Sequence, residues 1–113
     1  LAIFEREEEV EVLMPNLKEI SRLEARGVIA SAPGAQSDFV SRCFYPSVGV
    51  DEDPVTGSAH TLLTPYWKAV LSKKKMLARQ ISARGGQLFC ELHGERVMIG
   101  GGAVTYLVGK IYV

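Results

Sequence analysis

Ten residues, Asp51-Glu52-Asp53-Pro54-Val55-Thr56-Gly57-Ser58-Ala59-His60, constrain this chain more than any other stretch. They set three carboxylates, a rigid Pro, a flexible Gly and a hydroxyl directly ahead of apolar residues at Ala59, Leu62, Leu63, Tyr66, Val70 and Leu71. Those positions recur with the 3.6-residue helical period. The pattern predicts a loop that delivers acidic groups to a helix start. A helix N-terminus exposes unpaired N–H groups and carries about +0.5 elementary charge, so it attracts anions. One end can therefore hold a carboxylate ligand while a neighbouring Asp moves protons. Trp67 widens the apolar stripe, so a surrounding sheet is expected to wrap the helix. Pro65 should kink it, and Lys73-Lys74-Lys75 suit its negative end.

Composition predicts one compact soluble domain spanning residues 1–113: the chain is 47% hydrophobic and 23% charged. Thirteen basic residues balance thirteen acidic ones, so no net field favours nucleic acid or an anionic membrane. Cys43 and Cys90 lie far apart inside apolar runs and read as buried free thiols. No apolar stretch is long enough to cross a bilayer, and residues 1–12 are acidic where a signal peptide is basic. A cytoplasmic location is expected. The chain begins at Leu1 in what reads as mid-strand, which suggests a piece of a longer protein.

In chain order, Leu1–Phe4 and the alternation around Val10, Val12 and Met14 predict two paired strands or one interrupted edge, with Glu5–Glu9 as their turn. Asn16 and Glu19 form a capping-box pattern before Leu17, Ile20 and Leu23, with Gly27 as a stop, which predicts a short surface helix. Val28–Ala32 and Asp38–Tyr45 read as strands separated by Pro33-Gly34. Arg42 interrupts the second; a solvent-facing structural role is expected, and its nearness to the acidic loop allows an ion pair. After the long helix, Met76–Ser82, Gln87–Leu92, Arg96–Ile99 and Val104–Val113 read as strands, with His93-Gly94-Glu95 as a hairpin turn. This order predicts an α+β fold in which a curved mixed or antiparallel sheet, barrel-like, encloses the long helix.

The residues of the central loop suit acid/base chemistry without deciding it. Asp53 precedes Pro54 and is held extended. Mutual repulsion among Asp51, Glu52 and Asp53 raises a carboxyl pKa and the helix end lowers it, so the sign stays open. Gly57 allows close backbone approach, and Ser58 reads as the N-cap. A structural Asp-Pro turn before a Ser-capped helix explains the same residues. No Gly-x-Ser-x-Gly elbow is present, His60 reads as a satisfied helix-end histidine, and no metal-ligand spacing exists.

Glu52-Asp53-Pro54-Val55-Thr56-Gly57-Ser58-Ala59-His60, then Pro65-Tyr66-Trp67, Gln80–Gly86 and Gly100-Gly101-Gly102-Ala103-Val104, resemble the C-terminal half of the phenazine-biosynthesis isomerase (PhzF-like) family. Phe39–Pro46 resembles the segment that leads into that motif. The resemblance implies one half of a diaminopimelate-epimerase-like fold, in which two similar halves enclose a cleft. It also implies cofactor-independent proton transfer on a small carboxylate substrate. Asp53 then matches an acid/base residue, and Gly57 and Ser58 match substrate-binding positions. The family's principal glutamate base belongs to an N-terminal half and has no counterpart here. The expected partner is therefore that half or a second copy of the chain. The alternative is a truncated, non-catalytic family member acting as a binding module.

Overall fold

Strand β3 (Phe39–Tyr45) is the spine of the molecule, because both of its faces are buried. The computed structural model describes residues 1–113. Phe39 and Cys43 pack with Trp67, Leu63 and Ala59 on one side, while Val40 and Phe44 pack with Val10, Ala30 and Ala32 on the other. A period-2 strand with apolar residues at both odd and even positions has to be covered twice. Helices accordingly lie on both sides: α1 (Glu7–Glu11) and α2 (Leu17–Ile20) on one, α3 (Gly57–Leu71) on the other.

The sheet has seven strands in the order β1-β2-β3-β5-β6-β7, with β4 also pairing β3. Strand β1 (Ala2–Ile3) runs parallel to β2 (Val28–Pro33), which is antiparallel to β3. The first half of β3 pairs in parallel with β5 (Lys75–Gln80), whereas Cys43 and Tyr45 pair with β4 (Val50–Asp53). Strands β6 (Gly86–His93) and β7 (Arg96–Gly100) complete an antiparallel meander. The order ends at β1 and β7, so the sheet is mixed and open. The short helix, β2, β3, β5, β6 and the Gly94 turn (φ 57°) stand where the sequence places them.

Three expectations are corrected. Residues 7–11 form a helix, not a turn and strand: the Glu9 carboxylate accepts from the Arg6 N–H at 2.9 Å, three acids sit in the first turn, and only Val10 is buried. Val12 and Met14, which carried the alternation, are 73% and 94% exposed. Residues 104–113 form no strand, because nothing in the chain pairs with them; Tyr106 and Tyr112 are almost fully exposed. Helix α3 lies against one side of the sheet and is not wrapped by it: Ala59, Leu63 and Trp67 are buried, but Leu62 and Val70 are 60% and 56% exposed. No helix is long and apolar enough to cross a membrane.

Trp67 anchors α3. Its ring stacks on Phe39 (centroids 5.7 Å apart), and its Nε1–H donates to Ser31 Oγ at 2.9 Å. Ser31 Oγ in turn donates to the Val40 carbonyl at 2.6 Å. An indole buried with its N–H satisfied contributes area without an orphaned donor.

Candidate functional site

The acidic stretch is strand before it is loop. Asp51, Glu52 and Asp53 belong to β4, and Cys43 on β3 is the register partner of Asp53. Alternation along β4 sends neighbouring side chains to opposite faces. Glu52 turns toward Arg42, which it meets at 2.7 Å. Asp53 instead accepts a 2.6 Å hydrogen bond at Oδ2 from the Thr56 hydroxyl.

The turn from Asp53 to Thr56 is built on a buried amide. Gln80 is 1% exposed, and its Nε2 donates to the Asp53 carbonyl (2.6 Å) and to Thr56 Oγ1 (3.0 Å). Its Oε1 accepts from the Thr56 N–H at 2.8 Å. Ser82 Oγ donates to the Pro54 carbonyl at 2.7 Å and accepts from the Gly85 N–H at 3.1 Å. A Cβ on Gly86 would collide with the Val55 side chain. Strand β5 and the glycines after it thus hold the Asp53–Gly57 bend from behind.

Helix α3 starts at Gly57, and its N-cap is Thr56 (φ −119°, ψ 102°), not Ser58. The Thr56 hydroxyl serves Asp53 and makes no cap bond, so the first-turn N–H groups receive no side-chain acceptor from the cap. Ser58 falls in the first turn with its side chain exposed. A Cβ on Gly57 would meet nothing within 4 Å, so the helix mouth is open.

Ser58 and Gly57 line different concavities. Ser58 borders one of about 310 Å³ with Arg26, Tyr45 and Thr61. Gly57 borders one of about 590 Å³ with Arg84 and Gly100-Gly101-Gly102. Asp53, partly buried, lines neither. Asp53 and the helix mouth are joined through Thr56, but this chain alone does not enclose them in one pocket.

Two other titratable groups adjoin the bend. His60 is fully buried; its Nδ1–H donates to the Thr56 carbonyl at 2.7 Å, while Nε2 has no partner. Burial holds its pKa below the ordinary histidine value, against the opposing pull of that hydrogen bond. The histidine is thus neutral and only half satisfied. Burial also pushes the Cys43 thiol up, so the sulfur nearest Asp53 in the ladder stays protonated. No three His, Cys, Asp or Glu side chains converge as metal ligands.

Residues 1–109 match the family model described as phenazine biosynthesis-like protein. The chain belongs to that family. It is 54% identical over 111 residues to an uncharacterized isomerase of Pseudomonas aeruginosa, an alignment covering 98% of this chain and 42% of the relative. It is 55% identical over 93 residues to phenazine biosynthesis-like domain-containing protein 2 of Mus musculus, covering 76% of this chain and 32% of that protein. A crystal structure of a PhzF-family phenazine biosynthesis protein from Enterococcus faecalis superposes with a TM-score of 0.88 at 42% identity, covering 98% of this chain and 43% of that one. The chain thus spans under half the length of these relatives.

Within this family member, Thr56, Gln80 and Ser82 are site-building residues that reading the sequence by type passes over. A signal for Gln80 existed. It continues the core-facing alternation of Met76 and Ala78 with a polar side chain, and a polar group in a core position has to meet partners.

Proposed function

We propose that this chain is the C-terminal half of a PhzF-like isomerase that moves a proton on a small carboxylate substrate by general acid/base catalysis. Asp53 exchanges the proton, and the N–H groups of Gly57 and Ser58 hold the substrate carboxylate at the mouth of α3. In such an isomerisation one C–H bond breaks, its electron pair shifts a neighbouring double bond, and a new C–H bond forms at the far carbon. Atoms and electrons balance without an oxidant or reductant. The observation that carries this reading is the joint fixation of Asp53 and the uncapped start of α3 by Thr56. An anion at that end gains both hydrogen bonds and the helix dipole.

The remainder of the protein, in this reading, is the other half of an epimerase-like fold, which supplies the second base and closes the cleft over Asp53. A positioned base contributes about 10²- to 10⁴-fold in rate, so this half alone is expected to turn over poorly. The other reading is a non-catalytic binding module. Exposed Leu62, Val70, Phe89 and Met98 favour a protein partner in either case.

Titrating the chain with benzoate, with neutral benzamide as control, tests the anion site. Saturable movement of the Gly57 and Ser58 amide resonances by benzoate alone is expected. Equal responses to both compounds, or none at those amides, would contradict the proposal.

A further inference from the structure

We infer that Gln80 is a positioning residue that fixes the proton of the Thr56 hydroxyl on Asp53 Oδ2 and so leaves Oδ1 as the oxygen that exchanges protons with substrate. This rests on the acid/base reading of Asp53 and adds which atom acts and what aims it.

The orientation of the Gln80 amide follows from its partners. The Thr56 N–H can only donate, so the atom 2.8 Å away must be Oε1. The Asp53 carbonyl can only accept, so the atom 2.6 Å away must be Nε2. Flipping the amide would break both bonds at once. Nε2 then has one N–H left, and Thr56 Oγ1 lies 3.0 Å from it. The hydroxyl oxygen accepts that proton, and its own proton points to Asp53 Oδ2 at 2.6 Å. With Gln80 1% exposed, water does not compete for the amide. Oδ2 is thereby occupied by a charge-assisted bond, the stronger kind, while Oδ1 accepts none of the chain's side-chain hydrogen bonds. The carboxylate cannot spin freely between equivalent oxygens, and its orientation is transmitted from β5 to the start of α3.

The test combines kinetics with a spectroscopic readout that needs no turnover. In the full-length parent, solvent deuterium incorporation is followed for a panel of small unsaturated carboxylic acids. Thr56→Val is expected to lower kcat roughly ten- to hundredfold with KM unchanged, and Thr56→Ser to return it to within about threefold of wild type. Gln80→Met is expected to lower kcat likewise and to remain low when combined with Thr56→Ser. In parallel, amide exchange at the Gln80 side chain is read by NMR. Both Nε2 protons should be protected in wild type and Thr56→Ser, and only one in Thr56→Val. Wild-type kcat in Thr56→Val, an equal loss in Thr56→Ser, or an unchanged Gln80 pattern in Thr56→Val would overturn the inference. Asp53→Asn run alongside separates the two claims: wild-type incorporation there defeats the acid/base reading, and the Gln80 protons then judge the hydrogen-bond lock alone.

Discussion

Arg42 on β3 holds Glu52 on β4 by two parallel hydrogen bonds, Nε to Oε1 at 2.7 Å and Nη2 to Oε2 at 2.9 Å. Its remaining nitrogen, Nη1, donates to the carbonyls of Val10, Glu11 and Leu13 at 3.2, 3.0 and 2.9 Å. One guanidinium therefore ties the end of α1 to the acidic strand and neutralises one of its three carboxylates. Asp53 is left to its own partners at the bend.

Replacing Arg42 by Ala should destabilise the fold by about 2–4 kcal/mol, since it leaves the largely buried Glu52 carboxylate unpaired and takes the Arg42 donor from the partly buried Leu13 carbonyl. Lys should recover only part of that, because an ammonium cannot make the two-pronged bond. Urea unfolding of both variants measures this. A loss under about 0.5 kcal/mol for Ala, the range of an ordinary surface change, would mean the network is ornamental.

Gly86 faces the Val55 side chain with no room for a Cβ. Gly86→Ala should therefore lower stability by about 1–3 kcal/mol through overpacking. Adding Val55→Ala should relieve most of that, giving a favourable coupling in a double-mutant cycle. Additive losses in chemical denaturation would place the strain elsewhere.

How far the chain could be read in advance depended on what decides each element. Strands β2, β3, β5 and β6 and the Gly94 turn depend on local alternation and turn chemistry, so they were legible. The segment at Glu7–Glu11 was not: its alternation of Val and Glu fits a strand, but the Glu9 carboxylate closing on the Arg6 N–H and tertiary burial of Val10 settle a helix. Residues 104–113 have the composition of a strand, and strand formation needs a neighbour that pattern cannot supply. At the site, Asp53, Gly57 and Ser58 stood out by residue type and resemblance. Their supports Thr56 and Gln80 lie 24 positions apart and meet only through the parallel pairing of β3 with β5. The cap fell to Thr56 because its backbone is extended and Gly57 is already helical.

His60 makes stability depend on pH in a known direction. Its folded pKa lies below the unfolded value of about 6.5, so the unfolded chain binds the proton more readily. The stability that follows from a neutral His60 is fully present above that unfolded value, and is lost as pH falls from there through the folded value. Thermal midpoints between pH 7.5 and 5, taken in a His93→Ala background to remove the 3.1 Å contact of His93 with Glu91, should fall. The fall should shrink in His60→Leu. The same pH slope in both would assign it to other groups.

Deleting residues 104–113 should leave the unfolding free energy from urea denaturation within about 0.5 kcal/mol of the undeleted chain, as expected for segments that bury nothing. Val104, Val108 and Ile111 are each at least 85% exposed. A larger loss in the unfolding curve would show that the tail packs on the sheet in solution.

Deuterium transfer from solvent to carbon tests the central claim most directly. In the full-length parent, a small unsaturated carboxylic acid that takes up deuterium should do so at least about 10²-fold more slowly with Asp53→Asn, while the variant keeps its amide spectrum and benzoate response. Incorporation at the wild-type rate in Asp53→Asn would contradict the account.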